Sequence, residues 1–173
     1  MFNFFTKSLV GKVAPEITGD IWFNVTSFPE EAKLAAVQRL PLSFEKELSG
    51  TVTLIHFWDY SDSDSAEDVE HLKVWWEKYE GSGFLILGVH TPQYAFAEDA
   101  DKVESAVLRL HLDYPVVSDS SYITWKQYEN TIWPRTVLVD AYGFIRQDVR
   151  GKNKLSTMED EIRKLLTQVR SHV

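Results

Sequence analysis

Two short apolar runs on either side of one helix-length segment constrain the fold of this chain more than any other feature. The runs occupy residues 51–58 (TVTLIHFW) and 84–89 (FLILGV), and both are rich in β-branched and aromatic residues. Nearly continuous runs of this kind are typical of strands buried on both faces of a sheet. Between them, apolar residues recur at helical spacing over 69–79, and Gly81 ends the segment. This order predicts a parallel βαβ unit.

The remaining segments alternate between helical and strand patterns. In chain order, helices are predicted at 29–39, 101–110, 122–128 and 157–169, and strands at 114–117, 135–140 and 144–149. The last two strands flank Gly143 and form an antiparallel hairpin. Ser156 is the expected N-cap of the closing helix. The order predicts an α/β fold for residues 1–173, a three-layer α/β/α sandwich with a mixed central sheet and an N-terminal extension.

Charge and hydropathy limit the partners that such a domain can have. The net charge is −8 and the pI is about 5.1, so the chain repels phosphate backbones, and we expect no nucleic-acid partner. No apolar run approaches the roughly 18 residues of a membrane span. The first residues lack the apolar stretch and cleavage site of a signal peptide. A cytoplasmic protein is therefore expected, or an exported one whose export segment has been removed.

The chain contains no cysteine. Disulfides, thiolate nucleophiles, Cys-ligated zinc and iron–sulfur clusters are excluded by that count alone. The serines lack the Gly-x-Ser-x-Gly nucleophile elbow of serine hydrolases, and no Gly-rich phosphate loop is present. We therefore expect no cofactor.

Four local features occur together and carry a family resemblance. Phe57-Trp58 ends one strand before a long helix, residues 88–92 (GVHTP) end the next, Trp133-Pro134 precedes the strand at 135–140, and Gly143 lies in the hairpin turn. Together they resemble the redoxin branch of the thioredoxin superfamily. TlpA-type domains, the soluble domain of DipZ-type proteins and the thioredoxin-like domain attached to NHL repeats are the most similar. The resemblance covers about residues 11–170 as one domain and implies that 24–40 are an insertion.

The resemblance also locates the reactive motif that this chain has lost. In the family a Cys-x-x-Cys motif follows the Phe-Trp strand end, and here Asp62 and Ser65 occupy the positions of the nucleophilic and resolving cysteines. Disulfide exchange requires a thiolate, so the family's oxidoreductase activity and any catalytic residue are expected to be absent. Either Asp62 or Asp64 is expected to cap the helix, whose N-terminus favours negative charge.

A peptide-binding groove is the second feature that the resemblance implies. In the family the proline equivalent to Pro134 follows a cis bond, and the backbone before it pairs with an extended peptide. The candidate groove residues are Trp58, Tyr60, Ser61, Asp62, Ser65, His90, Thr91, Pro92, Trp133 and Pro134. One hypothesis is that the groove still binds a peptide or protein without thiols. The other is that the cis bond only shapes the turn.

Other interpretations of the same segment stay open. Asp59, Asp62 and Asp64 belong to an acidic stretch that could bind a divalent cation, although it has Asp64 where an EF-hand loop requires glycine. Alternatively, the chain is a thiol-disulfide oxidoreductase whose cysteines have been replaced. His56 occupies a strand position where the family often has a buried acid. We expect it to be a core histidine with its hydrogen bonds satisfied.

Overall fold

A mixed sheet lies at the centre of the chain in a computed structural model that describes residues 8–152 and 154–171. Its six strands are ordered β1-β4-β3-β2-β5-β6. They are β1 (Ile21–Phe23), β2 (Val52–Trp58), β3 (Phe84–His90), β4 (Val116–Ser118), β5 (Arg135–Val139) and β6 (Ile145–Arg150). β2, β3 and β4 are parallel, whereas β1 pairs with β4, and β5 with β2 and β6, in antiparallel fashion. This confirms the predicted mixed sheet.

Helices connect and cover the strands. They are α1 (Glu30–Val37), α2 (Ser63–Tyr79), α3 (Ala100–Arg109), α4 (Ile123–Gln127) and α5 (Met158–Arg170). His56 of β2 approaches Asp68 of α2, whereas the neighbouring Phe57 packs edge-on against Trp125 of α4. Successive side chains of a strand point to opposite faces, so α2 and α4 cover opposite faces of the sheet. None of the helices within the described ranges has the length and apolarity needed to cross a bilayer.

Burial explains why β2 and β3 were identifiable from sequence. Every residue of both strands is buried, and their register runs from Val52 opposite Phe84 to Trp58 opposite His90. Strands covered on both faces require apolar residues at successive positions instead of alternate ones. The two strands therefore hold the loops after Trp58 and His90 side by side, at the edge of the sheet where the reactive motif of the family is expected.

The structure corrects two sequence-based expectations about the elements. β1 was not predicted, and it pairs antiparallel with β4 through Trp22 opposite Val117. α2 begins at Ser63, as a cap by Asp62 requires, and its polar first turn precedes the apolar periodicity that starts at Val69. The prediction that Ser156 is the N-cap of α5 was wrong. The N-cap is Thr157, whose side chain makes no capping hydrogen bond.

A buried ion pair joins β5 to β6. The fully buried Arg135 donates from Nε and Nη2 to the two carboxylate oxygens of Asp148, at 2.8 and 2.9 Å, and from Nη1 to the Tyr128 carbonyl at 2.6 Å. Burial alone would raise the pKa of Asp148, but Arg135 outweighs it and lowers that pKa. The pair anchors the strand that begins directly after Pro134.

Candidate functional site

The candidate site lies where β2 ends and the chain turns into α2. β5 runs antiparallel to β2, and its first residue, Arg135, stands opposite Phe57. The loop before β5 therefore lies beside the loop after β2. This pairing brings the segments 59–65 and 131–134 to one edge of the sheet, as the resemblance implied.

Asp62 caps α2, which confirms the prediction that Asp62 or Asp64 does so. Its Oδ2 accepts a hydrogen bond from the Ser65 N–H at 2.8 Å and another from the Ser65 hydroxyl at 2.7 Å. Ser65 is buried, and its Oγ also accepts from the Asp59 N–H at 3.4 Å. A direct hydrogen bond thus joins the two positions that hold cysteines in the family. The Ser65 hydroxyl is thus both a donor and an acceptor, and it presents no free nucleophile.

The three carboxylates considered for a metal point to different partners. Asp59 is buried and accepts from Ser61 and from the Gln93 N–H, whereas Asp62 turns back onto its own helix. Asp64 accepts from Lys152 Nζ at 2.9 Å. Across 8–152 and 154–171, no group of three or more His, Asp or Glu side chains is placed to hold a metal ion.

Asp59 organises the floor of the site. Its Oδ1 accepts from the N–H and hydroxyl of Ser61, both at 2.7 Å, and its Oδ2 accepts from the Gln93 N–H at 2.6 Å. Burial opposes ionisation of Asp59, but the neighbouring His90 imidazole and the Gln93 and Ser61 donors favour the carboxylate, lowering its pKa from 3.8 to about 2. The ionised Asp59 carboxylate therefore links the loop after β2 to the loop after β3.

Because the folded-state pKa of Asp59 is depressed, its contribution to stability should be complete above about pH 4 and lost as the pH falls towards 2. We expect Asp59→Asn to lower the free energy of unfolding by about 2 kcal/mol at neutral pH. The deficit should shrink as the medium is acidified. Urea denaturation of wild type and variant from pH 7 to pH 2 measures both effects. Asp64→Asn, which alters a solvent-exposed ion pair, is the control and should keep the wild-type pH profile. A deficit that stays constant down to pH 2 would contradict the assignment.

Trp133 and Pro134 lie in the loop before β5, next to the start of α2, and the peptide bond between them is cis. The Trp133 indole N–H donates to the Thr91 carbonyl at 2.8 Å, and the ring stacks on Trp125 with centroids 4.1 Å apart. The side chain is therefore fixed from two directions. In contrast, the backbone N–H and C=O of Trp133 make no hydrogen bond within the part of the chain that the structure describes.

Not all of the candidate groove residues reach the surface. Those that do, wholly or in part, are Tyr60, Ser61, Asp62 and Trp133, whereas Trp58, Ser65, His90, Thr91, Pro92 and Pro134 are buried. Buried His90 supports the surface from below, since its Nε2 accepts from the Tyr60 N–H at 3.3 Å and its ring stacks under Tyr60. Trp58 is a core residue only 1% exposed. The buried residues thus shape the site, and the surface ones are available for contact.

Sequence reasoning missed two exposed aromatic residues beside the site. Tyr94 and Phe96 are 59% and 53% exposed, and their rings stack at 5.5 Å. Tyr60 donates its hydroxyl hydrogen to the Phe96 carbonyl at 3.3 Å, which holds this loop against the site. The only sequence signal was the high aromatic content of 13%, which does not indicate which rings are exposed.

His56 corrects a further expectation. It is buried as predicted, but neither ring nitrogen has a hydrogen-bond partner among the described residues, so the prediction of a satisfied histidine was wrong. The ring faces α2, where the nearest carboxylate oxygen, Asp68 Oδ2, lies 3.8 Å from Nε2. That separation exceeds hydrogen-bond range.

Comparison with known proteins supports the resemblance. No family model matches the chain. The chain is 36% identical over 128 residues to protein DipZ of Mycobacterium tuberculosis, a match that covers 74% of this chain but only 18% of DipZ. It is 24% identical to the thiol-disulfide oxidoreductase YkuV of Bacillus subtilis, over 89% of this chain and 94% of YkuV. The solution structure of a thioredoxin-like protein in the oxidized form matches with a TM-score of 0.73 at 22% identity, over 94% of this chain and 99% of that protein. These likenesses confirm the predicted thioredoxin-like fold.

Proposed function

We propose that this chain, which has a thioredoxin-like fold but no cysteine, is a redox-inactive module that binds an extended peptide or protein segment beside Pro134. The relatives named above include a thiol-disulfide oxidoreductase. Asp62 and Ser65 cannot carry that chemistry, because neither a carboxylate nor a hydroxyl attacks a disulfide as a thiolate does.

The free backbone of Trp133 is the observation that carries the proposal. Its N–H and C=O have no partner within the described residues, whereas backbone groups in folded proteins are nearly always paired with protein or water. An extended segment can pair with such groups in the manner of an added strand. Because Trp133 is fixed by Thr91 and Trp125, the backbone is held in place before a partner arrives.

The surroundings favour a segment that is both basic and apolar. The Asp62 and Asp64 carboxylates are engaged by Ser65 and Lys152, so the preference for a basic segment rests on the net charge of −8, which attracts cationic partners. Next to Tyr60, the exposed rings of Tyr94 and Phe96 offer apolar contact area. A segment in which Lys or Arg alternates with large apolar residues would complement both features.

Fluorescence titration with extended peptides tests the proposal. The panel should contain basic–apolar sequences and the same sequences with Lys and Arg changed to Glu. We expect saturable binding of the basic peptides only. Trp133→Ala should weaken it by about tenfold or more, as loss of a central aromatic contact does.

Trp22→Phe is the matched control for that titration. Trp22 is also a partly buried tryptophan packed against another ring, Phe28. It lies on β1, the outermost strand of the sheet, which is separated from β2 by β4 and β3. This variant should bind like wild type. The proposal fails if no peptide binds, if both variants lose affinity equally, or if purified wild-type protein reduces disulfides. The alternative of an oxidoreductase with replaced cysteines is decided by the native gene sequence.

A further inference from the structure

A cavity of about 360 Å³ opens between α2 and the segment that leads into α5. It is lined by Asp68, His71, Trp75, Leu155, Ser156 and Glu159. None of these residues belongs to the candidate groove. The volume falls within the range of small-molecule sites, and it far exceeds the roughly 30 Å³ that one water molecule occupies in the liquid.

Asp68 is the unusual member of this lining. Its side chain is only 3% exposed, and its Oδ2 is buried without a hydrogen-bond partner among the described residues. His56 Nε2 lies 3.8 Å from this oxygen, and both ring nitrogens of His56 also lack hydrogen bonds among the described residues. A carboxylate withdrawn from water is costly unless donors surround it. Within the described residues, the protein supplies no hydrogen-bond donor to either oxygen of this carboxylate. Oδ2 faces His56 and is closed to solvent, so Oδ1 is the oxygen that remains for a group bound in the cavity.

The other walls indicate which kind of donor fits. Trp75 and Leu155 are mostly buried and contribute an aromatic ring and an aliphatic surface. Glu159 adds a second carboxylate, although its Oε1 already accepts from Lys78 at 2.6 Å and Tyr79 at 2.8 Å. Carboxylates beside an indole ring attract a cationic N–H group both by charge-assisted hydrogen bonding and by cation–π attraction.

We propose that this cavity binds a small organic cation, namely a primary ammonium or guanidinium group on a short alkyl chain. Its N–H groups donate to Asp68, and its alkyl chain packs on Trp75 and Leu155. The net charge of −8 assists capture of a cation. This site lies apart from the proposed peptide groove and does not depend on it.

Isothermal titration calorimetry with n-butylammonium and n-butylguanidinium ions tests the proposal, with 1-butanol and butyrate as probes that lack the cationic group. We expect saturable binding of the cations and none of the other two. Asp68→Asn keeps the shape of the side chain but removes its charge, and it should weaken cation binding by about tenfold or more. Glu67→Gln is the matched control, because Glu67 is an exposed acid next in sequence that does not line the cavity. It should bind like wild type.

Ser156→Phe provides a second test that does not alter any charge. Ser156 is an exposed residue of the lining, so a phenyl group there should fill the cavity and abolish binding. Circular dichroism tests whether each variant is folded. If Asp68→Asn does not fold, the Ser156→Phe variant alone decides whether the cations bind in this cavity. The proposal is overturned if neither cation saturates, if butanol binds as well as butylammonium, or if Ser156→Phe binds like wild type. Equal losses in Asp68→Asn and Glu67→Gln would also overturn it, since they would indicate general charge attraction.

Discussion

The Asp62→Cys/Ser65→Cys double variant is expected to form an internal disulfide and to catalyse dithiol exchange, which the wild-type chain cannot do. The Asp62 and Ser65 side chains already meet at 2.7 Å, so cysteines at the same positions would face each other. The positive end of α2 lowers the pKa of a thiol at its N-cap and makes it a better nucleophile near neutral pH. The scaffold would thus gain a reaction for which the wild-type chain lacks the thiols.

Reduction of a protein disulfide by a thiol reductant, with and without the variant, measures that gain. Each single-cysteine variant, Asp62→Cys or Ser65→Cys, is a control, because one thiol cannot resolve the mixed disulfide that it forms. The double variant should exceed both by about tenfold or more. Ser63→Cys/Ser65→Cys carries two thiols at the wrong spacing and should resemble the single variants. A double variant that remains inactive would show that more than the two thiols has been lost from this site.

Arg135→Met is expected to cause the largest loss of stability. It would remove both hydrogen bonds that the guanidinium donates to the buried Asp148 carboxylate, leaving only Arg150 Nη2 at 3.7 Å as a cationic partner among the described residues, and it would leave the Tyr128 carbonyl without its donor. Removal of one partner from a buried ion pair typically costs about 3–5 kcal/mol. Guanidinium chloride denaturation at pH 7 measures the change in the free energy of unfolding.

Two further variants make the Arg135 experiment specific. Arg163→Met removes an arginine whose ion pair with Asp160 lies in solvent, and it should leave stability nearly unchanged. Arg135→Met/Asp148→Leu removes both buried charges and should recover a substantial part of the loss, because an apolar pair no longer requires solvation. If Arg135→Met proves as harmless as Arg163→Met, the pair does not anchor β5.

The parts of this fold that could be predicted from the sequence are the elements whose residues show a recognisable pattern within a short window. The runs at 51–58 and 84–89 are continuous because their strands are buried on both faces, and that property is visible in a short window of sequence. β1 could not be found in this way, because three residues are too few to show a period. Its identity as a strand depends on its pairing with β4, which lies far along the chain.

In the candidate site, too, features that depend on neighbouring residues were predictable and features that depend on tertiary packing were not. The cap by Asp62 was predictable, since it depends on a residue type next to a helix start. The exposed stack of Tyr94 and Phe96 was not predictable, because exposure depends on how the loop lies against Tyr60. His56 was predicted correctly as buried but wrongly as satisfied, because the 3.8 Å gap to Asp68 is set by how α2 packs on β2.

The hydrogen bond between Asp62 and Ser65 also has a consequence for where this protein could work. A dithiol at the start of a helix has two covalent states, and the reduction potential of its compartment decides which is populated. A carboxylate and a hydroxyl exchange no electrons, so this edge of the sheet has a single covalent form. A partner bound there would be held with equal strength in oxidising and in reducing surroundings.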